Sequence, residues 1–235
     1  MKSALNARLL SAAELTRQDA IFADIGTDHA YLPLFLLEEC RIKYAYCSDI
    51  NKGPLDSARK NAAERNMTDY ISFVLTDGAS VLSDKGITDY AICGMGGELI
   101  ADIIDRAPHL RDGGVNLILQ PMSRQSVLRR YLASNGFEIK CESYSYDAGK
   151  YYVCMLANYT GLTRDIDESE AEIGNPTVEY RNDSARLGYL KTLYAARSRA
   201  FEGKRLGGMV DSADEQLLAS LTNVITILSQ EGNEK

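Results

Sequence analysis

The stretch Phe22-Ala-Asp-Ile-Gly-Thr-Asp-His-Ala-Tyr-Leu-Pro33 decides the fold. An apolar run, Ala20–Ile25, ends in an acid and a glycine, and an apolar segment with helical spacing, Tyr31–Glu39, follows it. A strand that turns tightly on glycine into a helix is the opening of a nucleotide-cofactor fold. Asp49 closes the next strand-like run, Tyr44–Asp49, and stands 25 residues beyond Asp24. An acid at about that distance is where a ribose diol is usually held.

The pattern alternates on both sides of this stretch. A helix is predicted over Ser3–Leu15 and another from Gly53-Pro54 to Asn66; strands are predicted at Ile71–Leu75 and Tyr90–Cys93. A helix over Glu98–Arg106, a strand at Val115–Leu119 and a helix from Ser123 to Asn135 come next, with Gly136 as its C-cap. Phe137–Ser145 and Tyr151–Tyr159 then read as a hairpin around Ala148-Gly149. The fold class is therefore α/β: parallel strands joined by helical crossovers, with a closing antiparallel hairpin. This order resembles the Rossmann-like class I methyltransferase sheet, whereas ordinary dinucleotide folds end on a parallel strand.

The character changes after Gly161. Thr163–Pro176 is acidic and reads as a linker, Val178–Leu206 as one long helix, and Gly207-Gly208 as a break. Ser212-Ala-Asp-Glu215 matches a capping box, and Leu217, Leu221, Val224, Ile225 and Leu228 continue at helical spacing. The expected organisation is a cofactor-binding domain over 1–160 and a linker with a coiled-coil-like helical appendage over 161–235. The apolar stripes of that appendage fit packing on its own chain or on a second subunit equally well.

A chain of 235 residues, 45% hydrophobic and 25% charged, suffices for one full-size core. No apolar run is long enough to span a bilayer, and the start lacks the apolar core of a secretory signal, so a cytoplasmic location is expected. Five scattered cysteines without a C-x-x-C pair read as reduced, mostly buried thiols, and two histidines make a zinc site unexpected. The formal net charge is −7, yet seven basic residues, Arg197 and Arg199 among them, fall between Pro176 and Gly207 against three acids. Such local basicity fits phosphate contact or a solvated helix face.

The glycine turn departs from G-x-G-x-x-G. After Gly26 come Thr27, Asp28, His29 and Ala30, so the glycines that let a backbone approach a pyrophosphate are missing. An added carboxylate disfavours a diphosphate and suits S-adenosylmethionine, which has no phosphate and carries a sulfonium cation. In Ser48-Asp49-Ile50-Asn51, Asp49 is placed to accept from ribose hydroxyls and Ile50 to pack on adenine, with a helix cap as the plainer alternative. Asp77 and Gly78 follow the third strand, where an acid can meet the adenine amine or simply make an Asp-Gly turn. Gly94-Met95-Gly96-Gly97 leaves backbone bare at the fourth strand's end, and Gln120 either faces the same crevice or packs.

Three strings, Asp24-Ile-Gly-Thr-Asp-His-Ala-Tyr-Leu-Pro33, Gly94-Met-Gly-Gly97 and Leu119-Gln-Pro-Met122, together resemble the bacterial TrmK family, the tRNA (adenine-22-N1)-methyltransferases. The resemblance implies S-adenosylmethionine as methyl donor and a structured tRNA as substrate; from composition, no metal and no membrane partner are expected. Asp28 is then the first catalytic candidate, with His29 and Tyr31 orienting the base; a structural role for Asp28 in the loop stays open. Arg124, Arg129, Arg130, Arg197 and Arg199 are the candidate phosphate contacts. Competing readings are a methyltransferase of a small molecule or protein, a non-catalytic adapter, and an NAD-dependent dehydrogenase.

Overall fold

The structure is a computed structural model describing residues 5–209 and 211–231. Eight strands, β1 (Ala20–Ile25), β2 (Ile42–Asp49), β3 (Ile71–Leu75), β4 (Asp89–Gly96), β5 (Asn116–Ser123), β6 (Phe137–Asp147), β7 (Lys150–Tyr159) and β8 (Glu179–Arg181), form one sheet. Its order is β3-β2-β1-β4-β5-β7-β6-β8. Among the described residues β7 alone runs against the rest, inserted between β5 and β6. The turn before it holds Ala148 and Gly149 at φ 47° and 82°, two left-handed residues whose twist matches that of a hairpin. Because β1 to β5 are parallel, their C-terminal ends lie on one edge, and the order reverses between β1 and β4.

The helices are α1 (Ala7–Leu15), α2 (Tyr31–Glu38), α3 (Lys52–Glu64), α4 (Gly97–Asp105), α5 (Gln125–Ser134), α6 (Glu168–Ile173), α7 (Asp183–Leu206) and α8 (Ser212–Glu231). Alternate residues of β1 feed two cores. Phe22 packs with Leu34, Leu36, Cys47 and Ala58 on one face, and Ile25 with Ile92, Ile100 and Leu119 on the other. A strand covered on both faces is apolar nearly throughout, as β1 is apart from Asp24 near its end. No helix among the described residues is long and apolar enough to cross a membrane.

Four sequence expectations need revision or trimming. Ser3 and Ala4, assigned to the first helix, lie outside the described residues; α1 starts at Ala7, capped by Asn6, whose Oδ1 accepts the Leu9 N–H at 2.9 Å. The supposed linker contains α6, capped by Asp167 and anchored by buried Ala171 and Ile173. Six residues are too few to show a helical period, so only tertiary burial reveals it. The long helix starts late: Glu179–Arg181 pairs in parallel with β6, and Asn182 at φ 62° turns the chain and caps α7. The cap of α8 is Asp211, which accepts the N–H groups of Ala213 and Asp214 at 2.8 and 3.0 Å, one residue before the predicted capping box.

The C-terminal helices form a third core, in which Leu190 of α7 meets Leu217, Leu221 and Leu228 of α8 and Ile173 of α6. A buried ion pair fastens them to the sheet. Arg129 on α5 donates through Nε and Nη2 to both carboxylate oxygens of Glu142 on β6, at 2.7 and 3.0 Å. Its Nη1 reaches the carbonyls of Ala171 and Glu172 at 2.9 and 3.2 Å. The Tyr144 hydroxyl donates to Glu142 at 2.7 Å, and the Glu172 carboxylate takes Arg197 of α7. Arg129 is therefore a structural clasp, only 2% exposed, and the expectation that it grips RNA phosphate is corrected.

Removing one partner of a buried pair strands the other charge, which costs about 3–5 kcal/mol. Arg129→Met is expected to lose about that much stability in urea unfolding. The double replacement Arg129→Met with Glu142→Leu should recover most of it, and a double variant weaker than the single would contradict the clasp.

Candidate functional site

The C-terminal edge of β1, β2 and β4 opens into a cleft of about 490 Å³ walled by Asn6, Arg8, Leu9, Asp24, Gly26, Asp28, Tyr31, Leu32, Asp49, Cys93, Gly94 and Met95. Larger or equal cavities beneath the segment 160–178 and beside α7 lie away from these strand ends. The chain must turn at once after β1, and Gly26 makes that turn at φ 73°. A Cβ there would fall 2.0 Å from Met95 Cε, so only glycine lets Met95 lie across the turn.

Asp24 sits at the bottom of the cleft. It is 8% exposed and accepts the Thr27 hydroxyl at 2.5 Å. Burial raises its carboxyl to about 6; the Thr27 bond opposes this, and the nearby Asp49 and Asp28 charges add to it. Asp49, at the tip of β2, accepts the Asn51 N–H at 2.6 Å, which orients its carboxylate, and Ile50 stands 64% exposed on the rim. Cys93 contributes a thiol that burial pushes up to about 12, so it stays protonated and is no nucleophile.

Asp28 opens the lip above them. Its carboxylate is 78% exposed and lies 3.3 Å from His29 Nε2. The rings of His29 and Tyr31 stack with centroids 5.2 Å apart. His29 and Ala30 are both left-handed, at φ 61° and 55°, a conformation that costs a non-glycine residue about 1–3 kcal/mol. The Asn61 amide donates to the His29 carbonyl at 2.9 Å and holds the bend. Backbone strain of this kind clusters at ligand clamps and active sites.

The structure thus brings Asp24, Gly26, Asp28, Tyr31, Asp49, Gly94 and Met95 into one wall, with Thr27 beneath it and His29, Ile50 and Asn51 beside it. Gly96 caps α4 near the Ser123 hydroxyl. Asp77 and Gly78 are not in that wall. Arg106 clamps Asp77 at 2.6 Å and lowers its carboxyl pKa, while Gly78 turns toward Ile103. The basic candidates are dispersed. Arg130 is tied to Glu168 and the Ile166 carbonyl, and Arg197 to Glu172, while Arg124 lies a loose 3.8 Å from Glu98 and Arg199 is exposed.

Sequence reasoning missed the contribution of α1. Asn6, Arg8 and Leu9 line the cleft, and the helical period around Leu5 and Leu9 carries no sign of which way the polar positions face. Gln120 is fully buried and serves the cleft from behind: its Oε1 accepts from Arg8 Nη1 at 2.6 Å and from the Gly94 N–H at 3.1 Å. Of the two alternatives read from the sequence, facing the crevice or packing, Gln120 combines both: it is buried and it holds the cleft's Arg8 and Gly94.

The sequence profile of the family described as "Methyltransferase domain" matches residues 5–155. The tRNA (adenine(22)-N(1))-methyltransferase of Bacillus subtilis (strain 168) is 32% identical over 153 residues, 65% of this chain and 64% of that protein. The chain thus spans a little under two thirds of that curated relative. A crystal structure of a protein in the NADB-Rossmann superfamily from Streptococcus agalactiae superposes with TM-score 0.80 at 28% identity, covering 96% of this chain and 99% of its own. The structure of M. capricolum TrmK in complex with S-adenosyl-homocysteine gives TM-score 0.71 at 28% identity, covering 97% of each.

A raised carboxyl pKa favours the neutral form of the folded protein. The stability that neutral Asp24 contributes is full below about pH 4 and is lost as pH rises through about 6. Asp24→Asn stays neutral at every pH, so its stability relative to the unsubstituted protein should climb by about 2–3 kcal/mol between about pH 4 and 7.5. Urea unfolding at both ends measures this, and a constant difference would contradict a titrating buried Asp24.

Proposed function

The chain belongs to the methyltransferase-domain family, and on that footing we propose that it transfers a methyl group from S-adenosylmethionine to N1 of adenine 22 in tRNA. The observation that carries the reading is the acid-walled cleft at the glycine turn, where Asp24, Asp28 and Asp49 converge beside Met95. Carboxylates suit a ribose diol, an ammonium and a sulfonium; they oppose a diphosphate. Likeness to tRNA (adenine(22)-N(1))-methyltransferase supplies the nucleotide and the atom.

Bound S-adenosylmethionine supplies an electrophilic methyl group. Asp49 would take the ribose hydroxyls and exposed Ile50 would pack on the adenine of the donor. Asp24, ionised above about pH 6, answers the positive charge of the donor's tail. The substrate nitrogen carries a lone pair and needs no deprotonation, so the protein's work is positioning and charge stabilisation. N1 lies on the pairing edge of adenine, so the base must leave its stack, at a cost of about a few kcal/mol. The stacked His29–Tyr31 pair offers the displaced base an aromatic face, and exposed Asp28 stands beside it to stabilise the cationic ring or accept a proton from its amino group. Of the five basic candidates, Arg124 and Arg199 are the exposed ones that would meet tRNA phosphates, and a tRNA substrate supports a cytoplasmic location.

Mass spectrometry of nucleosides from tRNA incubated with the purified protein and labelled donor should find the label in 1-methyladenosine at position 22. Label in a small metabolite or protein but never in tRNA would refute the substrate. Asp28→Ala should lower single-turnover methylation by about 100-fold or more while leaving donor affinity within about threefold. Equal losses of turnover and affinity would remove Asp28 from catalysis.

A further inference from the structure

Two parts of the site are tied to one rigid body, α3. Its N-cap, Asn51, gives its N–H to Asp49 at 2.6 Å, where the donor reading places the ribose. Further along the same helix, the Asn61 amide donates to the His29 carbonyl at 2.9 Å. An α-helix rises about 1.5 Å per residue, so the two points stand roughly 15 Å apart on a stiff rod. Among the described residues, Asn61 is the one side chain that hydrogen-bonds the main chain of Asp28, His29 or Ala30. Its neighbours on the helix, Ala58 and Ala62, are fully buried in the core that also takes Ala30. The bend after Asp28 is thus held by packing at its end and by a hydrogen bond in its middle.

That bend is not a conformation the chain prefers. His29 and Ala30 are both left-handed, at φ 61° and 55°, and neither is glycine. Such a loop keeps its shape only while its surroundings hold it. Once released, the His29 carbonyl can rotate. The Asp28 carboxylate, 3.3 Å from His29 Nε2, and the stacked His29–Tyr31 rings would move with it. Those groups face the target base in the function proposed above, and this inference rests on that reading. In-line methyl transfer is sensitive to placement, since an error of about 1 Å can cost about 100-fold in rate. We propose that Asn61 is a positioning residue for methyl transfer. Its amide sets the lip, and α3 sets the lip against the donor's nucleoside, so that base and methyl meet at one distance. Asn61 is not in the cleft wall, so the role leaves donor affinity untouched.

Single-turnover methylation of tRNA and calorimetry with S-adenosylhomocysteine, both on the full chain, separate rate from donor binding. Asn61→Ala should slow methyl transfer about 10- to 100-fold and leave S-adenosylhomocysteine affinity within about twofold. Asn61→Asp, equal in size but unable to donate to a carbonyl once ionised, should lose as much. Asn135 is the control: its amide makes a bond of the same kind and length, 2.9 Å, to the Tyr131 carbonyl outside the cleft wall. Asn135→Ala should keep the full rate. In a double-mutant cycle, adding Asn61→Ala to Asp28→Ala should cost less than about threefold more, because the chief group it positions is already gone. A full rate in Asn61→Asp, an equal rate loss in Asn135→Ala, equal losses of rate and donor affinity in Asn61→Ala, or losses that multiply in the cycle would overturn the assignment while leaving the proposed function intact. Failure of the unsubstituted protein to methylate tRNA would overturn both.

Discussion

The buried contact between Arg129 and Glu142 is the constraint on which the arrangement of the whole chain rests. It joins α5 to β6 through two parallel hydrogen bonds, and the third guanidinium nitrogen reaches into α6. Two charges taken out of water are costly, and replacement by apolar groups is often neutral or favourable. What the pair supplies is a single way to dock: Glu142 Oε2 also accepts from Tyr144, and the remaining guanidinium nitrogen donates to the carbonyls of Ala171 and Glu172. A slipped α6 would leave a charged group unpaired in the interior, so alternative placements of the C-terminal helices are excluded.

The same contact shows where a sequence is legible and where it is not. β1 and β3 match their predicted runs residue for residue, because each is a short, mostly apolar run flanked by polar or turn-forming residues. The glycine turn was readable because few residues other than glycine adopt its backbone, and fewer tolerate Met95 at that distance. Arg129 and Arg130 are neighbours in sequence and equal in composition, yet one is buried and the other half in solvent. Charge suggested solvent or phosphate for both; the helix period alone separates them, and it turns Arg129 inward. Asp77 follows the end of its strand much as Asp24 and Asp49 stand at the ends of theirs, but Arg106, the C-cap of the helix that follows β4, reaches across and takes it. That partner is 29 residues away, outside any local pattern.

The cleft shows an economy of a different kind. Its acids come from two strands and one loop, its base from α1, and the backbone between them from glycines at Gly26 and Gly94. Asp24 is kept neutral over much of the acid range by its neighbours and its burial, and those conditions weaken once a cation enters. Acids gathered this closely disfavour one another's charge and favour a positively charged ligand, which is one way for a pocket to prefer such a ligand without close steric fit.

Beyond the sheet, Tyr151 of β7 lies in a notch at Gly188 on α7, where even one added carbon would meet the phenol ring at 2.2 Å. With Glu172 gripping Arg197 a few turns along, the long helix is pinned at two points rather than hinged at one. An arm mounted in this way behaves as a caliper. Its exposed outer face, Arg199 included, is thereby held in one place relative to the sheet that carries the cleft.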